Sequence, residues 1–140
     1  MTSLEGKTAL VTGASKGIGR AIALAFGEAG ANVVATARTQ SEIDEITKAI
    51  TSQGSQALGV IADLGVESDI YELADTATQA FSAIDILVNN AAIIHPRIAV
   101  ADFDPDLWRD VLNVNLTGAF LITQRLLPGM IDRGYGKIIN

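Results

Sequence analysis

The sequence contains no cysteine and a single histidine, His95. The first absence excludes disulfide bonds and thiolate metal sites, and the second argues against a zinc cluster, so we expect no metal site. Lysine and arginine number 10 against 16 aspartates and glutamates, a formal net charge of −6. A chain this acidic lacks the basic face that binds nucleic-acid phosphates.

Long hydrophobic runs are also missing, since no apolar stretch approaches the length that crosses a bilayer. The first residues lack the basic-then-apolar layout of a signal peptide. We therefore expect a soluble, cytoplasmic protein that binds neither nucleic acid nor membrane. Its 140 residues, 49% of them hydrophobic, predict one domain, residues 1–140, with an ample core.

Short apolar runs alternate with segments of helical periodicity along the whole chain. Strands are predicted at 8–11, 32–37, 57–62, 84–88 and from 137 onward. Helices are predicted at 18–29, from a cap at Ser41 to Gly54, over 70–81, and as one long helix at 107–131. Apolar strands separated by helices indicate a parallel sheet covered on both faces. The best-fitting architecture is a Rossmann-like, doubly wound α/β fold with strand order 3-2-1-4-5, truncated at strand 5.

A glycine-rich turn, residues 12–19, directly follows the first predicted strand and opens the first helix. Gly13 permits an unusual backbone angle, Gly17 leaves no Cβ beside a bound pyrophosphate, and Gly19 lets the helix pack close to the sheet. The N-terminal end of that helix favours a phosphate. The spacing G-x-x-x-G-x-G differs from a Walker A loop and indicates a dinucleotide site, the alternative being merely a tight turn.

The choice of cofactor depends on the end of the second strand, where an acid suits NAD and an arginine suits the 2′-phosphate of NADP. Here the acid is missing and Arg38 is present, with Lys16 as a second cation close by. Two cations and no carboxylate favour NADP over NAD, unless Arg38 is a solvated loop charge. Asp63, at the end of the third strand, either accepts a hydrogen bond from adenine or caps a helix.

Taken together, these residues resemble the short-chain dehydrogenase/reductase family over the whole chain, closest to its 3-oxoacyl-carrier-protein reductase and gluconate dehydrogenase group. Four motifs carry the resemblance: Thr12-Gly13…Gly17-Ile18-Gly19, Asp63-Leu64, Asn89-Asn90-Ala91-Ala92 and Asn113-Val114-Asn115. The resemblance implies NADP-dependent hydride transfer between a small carbonyl and its alcohol. It also implies a cofactor site made of Gly13, Ser15, Lys16, Gly17, Ile18, Gly19, Arg38, Asp63, Leu64, Asn90, Ala91 and Ala92.

Asn115 matches the family's catalytic asparagine, which holds a water that relays protons; the alternative is a helix-interior asparagine bonded to backbone. Ala92 stands where the family usually has glycine. Asn89, and in part Asn90, have a structural alternative, namely tying the fourth strand to its neighbours.

The family's other catalytic residues, a serine and a Tyr-x-x-x-Lys pair, are absent. The last serine is Ser82, and the residues four positions after Tyr71 and Tyr135 are Asp75 and Ile139. We therefore expect this chain alone to be inactive and its full-length parent to be an NADP-dependent oxidoreductase. The alternative is a non-catalytic NADP-binding or oligomerising module.

Three further expectations concern the second half of the chain. His95 is expected to be a solvated loop residue, and Asp102, Asp104 and Asp106 to serve the N-terminus of the long helix. Homo-oligomerisation is expected through exposed apolar side chains of the long helix or the edge of strand 5. The candidates are Phe120, Leu126, Leu127 and Ile138–Ile139.

Overall fold

The computed structural model describes residues 3–140, in which strands and helices alternate. The strands are β1 (Thr8–Thr12), β2 (Asn32–Ala37), β3 (Ala57–Ile61), β4 (Ile86–Val88) and β5 (Lys137–Ile139). The α-helices are α1 (Gly17–Glu28), α2 (Gln40–Ser52), α3 (Glu67–Phe81), α4 (Pro105–Leu112) and α5 (Ala119–Asp132). A 3₁₀ turn (Val100–Asp102) precedes α4, and a π-helical segment (Asn113–Gly118) joins α4 to α5.

The five strands form one parallel sheet in the order β3-β2-β1-β4-β5, which confirms the predicted topology. In the central strand, Val11 is paired with Ala35 of β2 on one side and Val88 of β4 on the other. The chain winds away from β1 first in one direction and then in the other. The carboxyl ends of β1 and β4 therefore meet at the switch point where such sheets hold ligands.

Both faces of the central strands are buried, as their continuous apolar runs predict. Leu10 and Leu87 pack with Leu73 of α3 and Ile122 of α5 on one face. Alternate residues of the same strands, such as Val11, join a second cluster with α1 and α2 on the other face. The sheet is thus packed between two layers of helices.

Several element boundaries differ from the predictions, and α3, for example, begins at Glu67 rather than at residue 70. Ser41 does not cap α2, because the helix begins at Gln40 with Thr39 in the N-cap position and no side-chain cap. The fourth strand begins at Ile86 rather than at residue 84, and the side chain of Asp85, just before it, accepts the Thr8 N–H at 3.0 Å. Gly30 and Gly54 follow their helices with positive φ, as predicted for C′ positions.

The prediction of a single long helix at 107–131 is wrong. The structure has α4, a π-helical segment and α5 in its place, and α4 begins two residues earlier, at Pro105. Asp104 caps α4 by accepting the Asp106 N–H at 2.9 Å, as expected, whereas Asp102 lies in the 3₁₀ turn. Leu126 is 7% exposed and belongs to the core, so its expected exposure is also wrong.

Candidate functional site

A cavity of about 620 Å³ lies at the carboxyl ends of β1, β2, β3 and β4. Eleven of the predicted site residues line it: Gly13, Ser15, Lys16, Gly17, Ile18, Arg38, Asp63, Leu64, Asn90, Ala91 and Ala92. Gly19 and Asn115, the other two, are not among the lining residues. Residues from several sequence-distant segments thus converge on one pocket, as expected at a topological switch point.

The glycine turn has the backbone that the sequence predicts. Gly13 has φ +63°, in the left-handed region that favours glycine, and the Ala14 N–H donates to the Thr36 carbonyl at 3.0 Å. A Cβ at Gly19 would overlap the Gly13 carbonyl oxygen. A Cβ at Gly17 would meet nothing within 4 Å. Gly19 therefore permits close packing of α1 under the turn, while Gly17 borders open space.

Thr12 and Asn90 clamp the end of β1 to the loop after β4. The Thr12 hydroxyl donates to the Val88 carbonyl at 3.1 Å and accepts the Asn90 and Ala91 N–H groups, both at 3.0 Å. In return, the Asn90 amide donates to the carbonyls of Thr12 and Gly13 at 2.9 and 3.1 Å. The amide nitrogen of Asn90 thus ties the loop after β4 to β1, which is the structural role considered for this residue. Asn90 also lines the cavity.

Asn89 lies one residue earlier and has the tying role considered for it. Its amide nitrogen donates to Thr123 Oγ1 at 3.2 Å and to Asn140 Oδ1 at 2.9 Å. The contacts join the end of β4 to α5 and to the residue after β5, so Asn89 supports the sheet beside the cavity.

The N-terminal end of α1 opens on this cavity. Lys16 occupies its N-cap position with an extended backbone and no side-chain cap, and no acidic residue lies in the first turn. The first N–H groups of a helix have no partner within the helix, and they carry the positive end of its dipole. The arrangement therefore favours an anionic group of a ligand.

The expectation that no carboxylate accompanies the two cations is wrong. Glu42, in the first turn of α2, lines the same cavity, and its Oε1 lies 2.5 Å from Lys16 Nζ. The Lys16 ammonium, then the Ser15 hydroxyl, lower the pKa of the Glu42 carboxyl, with smaller contributions from the charges of Lys16 and Arg38. Sequence reasoning missed Glu42 because only the packing of α2 beside the turn brings it to Lys16.

Asp63 is not the cap of α3, because the N-cap residue of that helix is Val66. Its Oδ1 instead accepts the Gly65 N–H at 2.8 Å, which shapes the loop after β3. The Asn113 amide donates to the Gly65 carbonyl at 2.8 Å and ties the same loop to the π-helical segment. Asp63 and the buried Leu64 thereby hold their places on the cavity wall.

Asn115 lies in the π-helical segment, a geometry frequently found at functional sites. Its Oδ1 accepts the Ile93 N–H at 2.7 Å and its Nδ2 donates to the Ile93 carbonyl at 3.1 Å. Asn115 therefore bonds to backbone, though to that of the loop after β4 rather than of its own helix. Ile93, which lines the cavity, is positioned by this pair.

Comparison with known proteins agrees with this geometry. The family model described as short chain dehydrogenase matches residues 7–140. The chain belongs to the short-chain dehydrogenase family. A 2-dehydro-3-deoxy-D-gluconate 5-dehydrogenase of Bacillus subtilis is 44% identical over 99% of this chain and 53% of its own length. A 3-oxoacyl-[acyl-carrier-protein] reductase of Pseudomonas aeruginosa is 38% identical over 99% of this chain and 56% of its own.

Among solved structures, a metagenomic short-chain oxidoreductase in complex with NADP superposes with a TM-score of 0.94 at 36% identity. The superposition covers 98% of this chain and 62% of the neighbour's chain. The resemblance to both enzyme groups named from the motifs is thus confirmed. The chain spans about half the length of the curated relatives that it matches.

The cavity of this short-chain dehydrogenase fits a dinucleotide, because the uncapped helix end and the open space beside Gly17 suit a pyrophosphate. His95 lies outside the cavity lining; its Nδ1 donates to the Pro96 carbonyl at 2.7 Å, and its ring packs edge-on against Phe103. Within residues 3–140, no helix is both long and apolar enough to cross a membrane. Over the same residues, no cluster of three or more histidine, aspartate or glutamate side chains is placed to hold a metal ion.

Proposed function

We propose that this chain binds NADP(H) in the cavity at the carboxyl ends of β1 to β4. The proposal rests above all on the N-terminus of α1, which faces that cavity without a side-chain cap or an acidic first turn. A pyrophosphate there accepts hydrogen bonds from N–H groups that the helix itself leaves unpaired. The resemblance adds adenine beside Asp63 and Leu64, and the nicotinamide side along Asn90, Ala91 and Ala92.

The preference for NADP over NAD is supported by Arg38. This residue lies one position after β2, is exposed, and lines the cavity. Its guanidinium matches a phosphate in geometry and charge. NADP is the ligand in one structural neighbour, whereas a second, a xylitol dehydrogenase, is bound to NAD⁺, so the preference rests on Arg38 and not on the neighbours.

Calorimetric titration of the chain with NADP⁺ and NAD⁺ tests both proposals. A hydrogen bond to a charged group contributes about 1.5–3 kcal/mol, so Arg38→Ala should weaken NADP⁺ binding by roughly 10- to 150-fold. The variant should leave NAD⁺ binding almost unchanged. Arg97→Ala, which removes an exposed arginine outside the cavity lining, is the matched control. Absence of binding by either coenzyme contradicts the proposed site, and tighter binding of NAD⁺ than NADP⁺ contradicts the role of Arg38.

We propose further that the full-length protein transfers hydride between NADP(H) and a small-molecule hydroxyl/carbonyl pair. The bound coenzyme supplies the hydride, while residues of this chain bind and orient it. Asn115 is the candidate for a catalytic role, on the strength of the family resemblance. Its two hydrogen bonds to the backbone of Ile93 support a role in which Asn115 positions the loop after β4.

This chain alone is expected to bind coenzyme without turnover, because a serine and a Tyr-x-x-x-Lys pair are absent from its sequence. Spectrophotometric assay of NADPH oxidation with a panel of ketones tests this. Turnover by the chain would show that other residues can donate the proton. If the complete coding sequence also lacks the serine and the Tyr-x-x-x-Lys pair, the alternative of a non-catalytic NADP-binding or oligomerising module is favoured. A cytoplasmic location remains the sequence-based prediction.

Homo-oligomerisation is the proposed assembly state. Apolar side chains recur every four residues from α4 into α5 and are exposed: Trp108, Leu112, Leu116 and Phe120. Side chains at this spacing share one side of a helix, and exposed apolar patches of this kind mark interaction surfaces. Phe120→Gln should lower the sedimentation coefficient at micromolar concentration, whereas Ile131→Gln, also exposed on α5, is the control. A monomeric parent at that concentration contradicts the proposal.

A further inference from the structure

Glu42 is an acidic residue of the cavity wall beside its two cationic residues, Lys16 and Arg38. Its Oε1 lies 2.5 Å from Lys16 Nζ, and its side chain is 27% exposed against 78% for Lys16. Glu42 lines the cavity together with Ser15, Lys16 and Arg38. All three belong to the predicted cofactor site, and Lys16 first, then Ser15 and to a smaller extent Arg38 lower the pKa of the Glu42 carboxyl.

The carboxylate affects the two coenzymes in opposite ways. A phosphomonoester carries a charge of about −1.5 to −2 at neutral pH, so it is repelled by Glu42 and competes with it for Lys16. An unphosphorylated ribose can instead donate its 2′-hydroxyl to a carboxylate, which is the role an acid plays in NAD-binding folds. In those folds the acid comes at the end of the second strand, whereas Glu42 comes from the following helix.

We propose that Glu42 is a specificity-determining residue: it pairs with Lys16 and thereby lowers the preference of this cavity for NADP over NAD. The inference rests on the proposed NADP function. It assigns Arg38 and Glu42 opposing effects: the arginine favours the 2′-phosphate and the carboxylate disfavours it. The site is then one that accepts both coenzymes with a modest preference.

The test compares the Kd of NADP⁺ with that of NAD⁺ by calorimetric titration of the parent chain, Glu42→Gln and Glu45→Gln. Two unit charges at contact distance in water correspond to about a fivefold change in an equilibrium constant, so Glu42→Gln should raise the NADP⁺ preference about fivefold or more. The ratio of the two constants is the readout, because charge removed near the turn also acts on the pyrophosphate that both coenzymes share. Glu45→Gln is the matched control, since Glu45 lies on the same helix, is paired with Arg20 at 3.0 Å and does not line the cavity.

The outcomes separate this inference from the proposed function. An increased ratio in Glu42→Gln alone, which shrinks at high salt, supports it. An unchanged ratio, while Arg38→Ala still weakens NADP⁺ binding, overturns the role of Glu42 and leaves the proposed function standing. A decreased ratio also overturns it, because Glu42 would then help Lys16 to bind phosphate. Absence of coenzyme binding by the parent chain refutes the proposed function itself.

Discussion

Replacing Gly19 by alanine tests whether the glycine turn and the Asn90 clamp form one tightly packed unit. A Cβ at Gly19 would overlap both the Gly13 carbonyl oxygen and the amide nitrogen of Asn90. The first of these is backbone at the tip of the turn and cannot rotate away. The second donates the two hydrogen bonds that join the turn to the loop after β4.

Opposing effects decide whether Gly19→Ala raises or lowers the free energy of unfolding. Alanine in place of glycine within a helix gains about 1 kcal/mol of helix propensity. Overpacking a dense site costs about 1–3 kcal/mol, and each hydrogen bond lost by Asn90 about 1 kcal/mol. With both bonds lost, we expect Gly19→Ala to lower the free energy of unfolding by about 2–4 kcal/mol and to weaken NADP⁺ binding.

Urea unfolding followed by circular dichroism measures the stability, and calorimetry measures the binding. Gly129→Ala is the control, because Gly129 is also helical and its added Cβ would meet only the far end of the Arg133 side chain, at 3.2 Å. That variant should be unchanged or more stable by up to about 1 kcal/mol. If Gly19→Ala is as stable as the parent chain and binds NADP⁺ equally well, the turn and the clamp are not packed as described.

Three further predictions concern other parts of the chain. Asn115→Ala removes both hydrogen bonds to Ile93, so amide exchange at Ile93 should accelerate in hydrogen-exchange measurements while the sheet amides stay protected. The hydrogen bond to Glu67, followed by desolvation and the charge of Glu67, raises the pKa of Tyr71 above 10. The protonated Tyr71 phenol therefore stabilises the fold below pH 10, and this stabilisation is lost as pH rises through the raised pKa. Glu67→Gln should move the Tyr71 phenolate titration, followed by ultraviolet absorbance and assigned with Tyr71→Phe, to lower pH. Asp85→Ala leaves the buried backbone N–H of Thr8 without its acceptor, so the urea midpoint should fall by the equivalent of about 1–3 kcal/mol. An unchanged midpoint would contradict this.

The strands and the glycine turn could be predicted because both depend on local patterns. Continuous apolar runs, such as that from Thr8 to Val11, predict strands buried on two faces, and the handedness of crossovers then limits the topology. Gly13, before the first helix, marks a turn that needs a positive φ, and the structure has φ +63° there. Each of these signals lies within a few consecutive residues.

The long helix shows where local patterns fail. Its apolar residues keep a helical period across Asn113–Gly118, so periodicity does not reveal the π-helical segment there. The structure shows side chains of this segment bonded elsewhere, with Asn113 on the Gly65 carbonyl and Asn115 on the backbone of Ile93. Those partners are 48 and 22 residues away in the chain, beyond the reach of any local pattern.

The amino-acid order by itself determined the class of fold, the position of the glycine turn and the residue types that meet at the sheet edge. Only the tertiary structure decided which of these side chains touch, as the ion pair of Glu42 with Lys16 shows. The physical reason is that period and turn geometry act over a few residues, whereas the electrostatics of the cavity depend on where packing places each charge.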